Sequence, residues 1–180
     1  QLQTSAVVGR EISSILDLDV LLLRVADRIR DAFAYYHVQI FLLDRDTSQL
    51  LLRAASQATK PQYPRLDLDQ TSINSIVAQT GVPLLVNDVQ HDPRYLADSQ
   101  LPETRSELVI PLRRGGQVIG TLDVQSSQAN AFTDEDVLIL QSLGDQLVVA
   151  IENARLYDQS RQLAILEERT RLSRELHDSV

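Results

Sequence analysis

The chain has 180 residues, 43% hydrophobic and 23% charged, a length and balance suited to one buried core plus an appendage. Its formal net charge of −8 disfavours nucleic acid as a partner, because affinity for a phosphate backbone comes from clustered Lys and Arg. Cysteine is absent, which excludes disulfides, Cys-ligated zinc or iron–sulfur centres and thiol-attached chromophores, and no apolar run approaches the roughly 18 residues of a membrane-spanning segment.

The chain begins at Gln1 and contains no Met, so it reads as part of a longer protein. Leu2, Ala6, Val7, Ile12, Ile15 and Leu16 form a loose helical stripe, giving a linker helix over residues 1–18. Asp17 or Asp19 then caps a second helix over about 19–34, in which Leu22, Val25, Ala26, Ile29 and Phe33 recur at three- and four-residue spacing. "HVQIFLLD" and "LLLRAAS", joined by the turn-rich "DRDTSQ", read as a β-hairpin.

Residues 56–70 hold Pro61, Pro64 and few large apolar groups, the composition of a loop. A short helix over about 71–80 follows, capped by Thr71 or Ser72 and stopped by Gly81 and Pro83, and "PLLVND" is a short strand. Val89 to Glu103 is a second long loop with Pro93 and Pro102. "SELVIPLRRGGQVIGTLDVQSS" is a second hairpin turning at Gly115-Gly116, and Pro111 inside its first strand calls for an edge or a bulge there. From Thr133, with Asp134, Glu135 and Asp136 on its first turn, one helix runs to the end of the chain.

That helix would be roughly 70 Å long, so part of it must project from the domain. Leu140, Leu143, Leu147, Ala150, Ala154, Tyr157, Ala164, Leu172 and Leu176 keep an apolar stripe along it, which calls for a partner helix. The simplest partner is a second copy of the chain. The alternative is that the helix folds back on the domain's own amino-terminal helix.

Residues 106–157, "SELVIPLRRGGQVIGTLDVQSSQANAFTDEDVLILQSLGDQLVVAIENARLY", resemble the carboxy-terminal half of a GAF domain. "YYHVQIFLLDRDTSQLLLRAAS" and "IVAQTGVPLLVNDVQHDPRY" resemble its first hairpin and middle segment, so the likeness covers about 19–157. It implies an α+β fold with a central antiparallel sheet of about six strands, helices on both faces, and a pocket between the sheet and residues 56–107. "ERTRLSRELHDSV", residues 168–180, resembles the phosphoacceptor box of sensor histidine kinases of the nitrate-sensor type. The implied organisation is a linker helix at 1–18, a GAF domain at 19–157, and a signalling helix with the start of the phosphoacceptor region at 158–180.

His177 is then the phosphoacceptor, an imidazole nucleophile about 100° round the helix from Leu176, with Ser173 and Arg174 on its face. By the resemblance Asp178 is its acid–base partner, although neighbours at i and i+1 do not face each other on a helix. Glu175 is a weaker candidate for that role, and the plain alternative for His177 is a solvated surface residue. Asp88, Arg94, Tyr95, Glu107, Thr121 and Asp123 are the polar residues expected at a pocket, while loop-turn roles for Asp88 and Arg94 and solvent-facing strand positions for Thr121 and Asp123 are the alternatives.

His37 and His91 have no second ligand at metal spacing, so no metal is expected, and the Asn-Lys-Phe-Asp-Glu motif that accompanies cyclic-nucleotide binding in some GAF domains is missing. The expected function is a sensory fragment of a cytoplasmic two-component kinase that dimerises through its N- and C-terminal helices and acts on a response regulator, with the GAF domain sensing a small molecule or relaying a signal to His177. A ligand-free dimerisation module is the alternative. No cofactor is expected in this segment; ATP and Mg belong to the parent kinase, because nothing here forms a phosphate-cradling loop.

Overall fold

The computed structural model describes residues 17–179, so residues 1–16 of the linker helix expected over 1–18, and Val180, lie outside the described residues. Asp17 accepts from the backbone N–H groups of Asp19 and Val20, starting helix α1 (Leu18–Phe33), which ends with Ala34 in the left-handed conformation. Strands β1 (His37–Asp44) and β2 (Gln49–Ala55) form the first hairpin. The stretch expected as loop between 56 and 70 contributes β3 (Arg65–Asp67), which pairs with Gln49–Leu51. Three residues between prolines and polar groups carry too little pattern to announce a strand; the exposed edge of β2 recruits them.

Helix α2 (Ile73–Thr80) begins at a capping box in which Ser72 and Ser75 satisfy each other's backbone N–H, and it ends at Gly81 with φ 67°. Strand β4 (Leu84–Val86) follows, then the loop, then the hairpin of β5 (Ser106–Arg114) and β6 (Gln117–Ser126). The six strands form one antiparallel sheet in the order β3-β2-β1-β6-β5-β4. β4 pairs with β5 only at residues 107–109, so Pro111 has a strand on one side alone and its missing N–H costs no ladder bond there. The ladder is irregular between Leu112 and Arg113.

The sheet separates two environments. Val38, Ile40 and Leu42 of β1, Leu108, Ile110 and Leu112 of β5, and Leu122 and Val124 of β6 point to one face, where α1 and helix α3 (Asp134–Asp178) cover them. Leu22, Ala26 and Ile29 of α1 and Leu140, Leu147 and Ile151 of α3 complete this core. The opposite face carries α2 and the long loops over two smaller clusters, one around Val77, Val86 and Val109 and one around Phe41, Leu50 and Leu66.

α3 starts at a capping box formed by Thr133 and Asp136 and runs 45 residues without a break, about 67 Å at the α-helical rise. Its last buried residue is Ala154; beyond Arg155 every described residue is exposed, including Leu156, Tyr157, Leu163, Ile165, Leu166, Leu172 and Leu176. An 18-residue window of α3 reaches a mean hydropathy of 1.2, with 33% of it buried inside the domain. The apolar face that packs on the sheet supplies part of that hydropathy.

Gly120 sits where β6 is squeezed between β1 and β5: a Cβ there would collide with the Phe41 carbonyl oxygen and crowd Leu42 at 3.0 Å. Gly120→Ala is expected to lower the unfolding free energy by roughly 2–3 kcal/mol through overpacking. Leu140→Ala, which empties a fully buried site under the sheet, is expected to cost roughly 2–5 kcal/mol. Urea denaturation followed by far-UV circular dichroism measures both.

Candidate functional site

The face of the sheet opposite α1 and α3 is polar at its centre. Side chains alternate along a strand, so Thr121, Asp123 and Gln125 of β6 share this face with His37 and Gln39 of β1 and Glu107 of β5. Asn74 reaches in from α2, and Thr104 and Tyr95 reach in from the loop before β5. Thr121 and Asp123 are completely buried, and Glu107, Gln125, Asn74 and Gln39 are nearly so.

Asp123 organises the cluster. Its Oδ2 accepts from Gln39 Nε2 at 2.9 Å and Asn74 Nδ2 at 2.7 Å, and its Oδ1 accepts from Gln125 Nε2 at 3.3 Å. Each amide has its other end fixed in turn: Thr121 Oγ1 donates to Asn74 Oδ1 and Thr104 Oγ1 to Gln125 Oε1, both at 2.7 Å. Gln39 Oε1 stands 3.2 Å from His37 Nε2, so that nitrogen carries the proton. His37 Nδ1 lies 3.4 Å from Ser56 Oγ, which also accepts from the Val38 N–H. Three amide donors thus converge on one carboxyl group.

Glu107 has no such support. It lies against Asp123, and among the described residues no protein donor is hydrogen bonded to its carboxyl. Burial, then the neighbouring Asp123 charge and the hydrogen bond between the two groups, push Glu107 well above the usual carboxylate range. The pair therefore holds one proton, on Glu107 and donated to Asp123. Burial lowers His37, against the opposing pull of Asp123, and burial pushes the Tyr95 phenol up to about 12.

A cavity of about 30 Å³ adjoins the pair, with Gln39, Asn74, Glu107, Asp123 and Gln125 at its floor. Its walls are Phe41, Leu66, Ile73, Leu96 and Leu101, and Pro61, Tyr63, Tyr95 and Asp98 close it from above. The covering segments are tied to each other: Gln62 N–H donates to Asp98 Oδ2 at 2.9 Å, and Ser99 N–H donates to Gln62 Oε1 at 3.1 Å. Such a space admits about one or two water-sized groups while the loops are closed.

Of the residues expected at a pocket, Tyr95, Glu107, Thr121 and Asp123 meet here, Thr121 acting through Asn74 and not lining the cavity itself. Asp88 and Arg94 stand outside it. Asp88 caps a turn at Gln90 and lies 3.4 Å from Arg105, and Arg94 pairs with Asp92 at 2.8 Å in an exposed loop. Gln39, Asn74, Thr104 and Gln125 complete the cluster without having been singled out from the sequence.

His91 is exposed with φ 69°, and among the described residues no group of three or more His, Cys, Asp and Glu gathers as metal ligands. His177 and Asp178 are exposed on the last turns of α3, far from the cavity, and no hydrogen bond joins their side chains.

A family model of the GAF domain matches residues 15–152, most of the chain. The chain belongs to the GAF domain family. Its fold is that of other GAF domains, and members of the family serve as regulatory and sensory modules in signalling proteins. Sensor histidine kinase YhcY of Bacillus subtilis is 38% identical over 71 residues, covering 39% of this chain and 19% of that protein. The formate hydrogenlyase transcriptional activator of Salmonella typhimurium is 23% identical over 185 residues, covering 97% of this chain and 26% of that protein. The chain thus spans about a quarter or less of the length of these relatives.

Among solved structures, the free methionine-R-sulfoxide reductase of Neisseria meningitidis in complex with its substrate aligns with a TM-score of 0.71 and 27% identity, over 79% of this chain and 82% of that one.

The carboxyl pair gives this GAF domain a defined pH response. The folded state keeps on Glu107 a proton that the unfolded chain releases above the ordinary carboxylate value of 4.5, so the folded state binds more protons and its stability falls as pH rises through that window. The slope approaches about 1.4 kcal/mol per pH unit where the difference is one full proton. His37 acts oppositely, costing stability as pH falls below 6.5, where the unfolded chain takes up a proton that the folded imidazole resists. Glu107→Gln keeps a donor toward Asp123 and has no proton to lose. Subtracting its urea midpoints from those of the natural chain between pH 5 and 8 cancels His37 and is expected to leave the falling Glu107 component; superimposable curves would refute the shared proton.

Proposed function

We propose that the chain is the sensory segment of a cytoplasmic two-component histidine kinase, in which the GAF domain reads a small molecule, or relays an upstream signal, and sets the state of the phosphoacceptor His177. The observation that carries this reading is the unbroken α3. One helix lines the core under the sheet from Leu140 to Ala154 and continues to the "RELHD" segment, where His177 is exposed. The partial match to a sensor histidine kinase supports it, and so does the likeness of residues 168–180 to a phosphoacceptor box.

In this reading His177 attacks the γ-phosphorus of ATP held with Mg by the parent kinase, an N–P bond forms as the bond to the β,γ-bridging oxygen breaks and ADP leaves, and the phosphoryl group then passes to a response regulator. Asp178, reoriented from its place in α3, takes the imidazole proton. The chain by itself, without a nucleotide site, is a phosphate acceptor only.

The exposed apolar residues of α3 support a second copy of the chain as partner. Leu156, Leu163 and Leu166 are each more than half exposed, on a helix that otherwise projects alone into solvent. A parallel pair would bury them and place two His177 side chains at one end of the bundle. Leu163→Glu combined with Leu166→Glu is expected to turn a dimer into a monomer in sedimentation velocity without changing the melting of the sheet.

The decisive experiment is phosphorylation with labelled ATP of the protein extended through its kinase portion. Acid-labile, base-stable label that disappears in His177→Gln is the expected result; equal label in both proteins removes the kinase reading. The small size of the cavity, about 30 Å³, favours a second reading, a GAF module that dimerises without binding any ligand. Direct binding measurements separate the two.

A further inference from the structure

The cavity beneath the two clasped loops is chemically one-sided. The amides of Gln39, Asn74 and Gln125 spend their donors on Asp123, and their carbonyl oxygens face His37, Thr121 and Thr104. What they leave for an occupant is acceptor capacity. Glu107 lines the cavity with only 4% of its surface exposed and, among the described residues, receives no protein hydrogen bond. No Arg or Lys lines the space, so the buried negative charge has no cationic partner there. Phe41, Ile73 and Leu101 offer apolar walls around the same opening.

We infer that the ligand of this cavity is a small primary amine bound as its ammonium, the charged head between Glu107 and Asp123 and the apolar body against Phe41, Ile73 and Leu101. This deepens, and rests on, the reading of the domain as a small-molecule sensor. The exchange is balanced in charge. In the empty site two carboxyls share one proton; on binding, Glu107 releases that proton to solvent and the ammonium takes its place, so the buried site holds a net charge of −1 in both states. A zwitterionic amino acid fits worse, because its carboxylate would enter an acidic cavity lined by neither Arg nor Lys.

Anything larger than a water-sized group must part the loops. The bonds from Gln62 N–H to Asp98 and from Ser99 N–H to Gln62 are the ones that open, both on the exposed rim. Ligand size is thereby coupled to the position of residues 59–64 and 95–101.

The probes are n-propylammonium, butyrate and 1-propanol, titrated into the 180-residue chain near neutral pH. Side-chain amide resonances of Gln39, Asn74 and Gln125 report the site, and calorimetry in two buffers of different ionisation heat counts protons. Propylammonium is expected to saturate these resonances with release of about one proton, butyrate to leave them unmoved, and Glu107→Gln to weaken the amine by about tenfold or more while keeping its fold. Butyrate or propanol binding in place of the amine overturns the ligand class and leaves a sensing domain. Amine binding undiminished in Glu107→Gln overturns the site. Silence toward all three probes overturns the amine.

Discussion

The carboxyl group of Asp123, fully buried and held by three amide donors, is the constraint around which one half of this domain is arranged. A charge in that position is tolerable only if its hydrogen bonds are complete, since a missing partner in a low-dielectric interior costs the full desolvation of the group. The donors come from β1, β6 and α2, so the carboxylate fixes how the small helix and the two central strands meet. Even the hydroxyls of Thr104 and Thr121 are committed, because they hold the amides in the orientation that Asp123 requires.

β6 carries this network and the main core at once. Leu122 and Val124 lie under α1 and α3, while Thr121, Asp123 and Gln125 lie on the opposite side of the same backbone. β5 repeats the arrangement with Leu108 and Ile110 against Glu107. No layer of side chains intervenes between the polar cavity and the ladder on which α3 rests. A displacement of the central strands is felt on both faces, because a densely packed core has little slack to absorb it.

Much of the fold was legible because its signals are local. Ser72, Thr133, Gly81 and the Gly115-Gly116 turn mark ends that need particular backbone chemistry, and alternation identifies the hairpins. β3 escaped because its pairing is imposed by β2 and leaves almost no pattern of its own. The site was half legible for a more instructive reason. "TLDVQ" alternates apolar and polar residues as an ordinary solvent-facing strand does, and nothing local distinguishes water from a buried amide network on the polar side. Asn74 is hidden the same way: a single Asn in the first turn of a short helix is unremarkable until Asp123 is seen 2.7 Å away. Asp88 and Arg94 show the converse, a polar loop whose charges satisfy neighbouring charges and turns and do not line this cavity.

The unbroken course of α3 makes it a lever. From its last buried residue, Ala154, the helix extends about 35 Å to His177, and from Leu156 on every described side chain is exposed. A tilt of about 5° at the sheet would sweep the far end through roughly 3 Å, a distance comparable to a hydrogen bond, without deforming the helix itself. Small adjustments of packing around Leu147 and Ile151, too slight to stand out in the core, therefore become large where the helix ends.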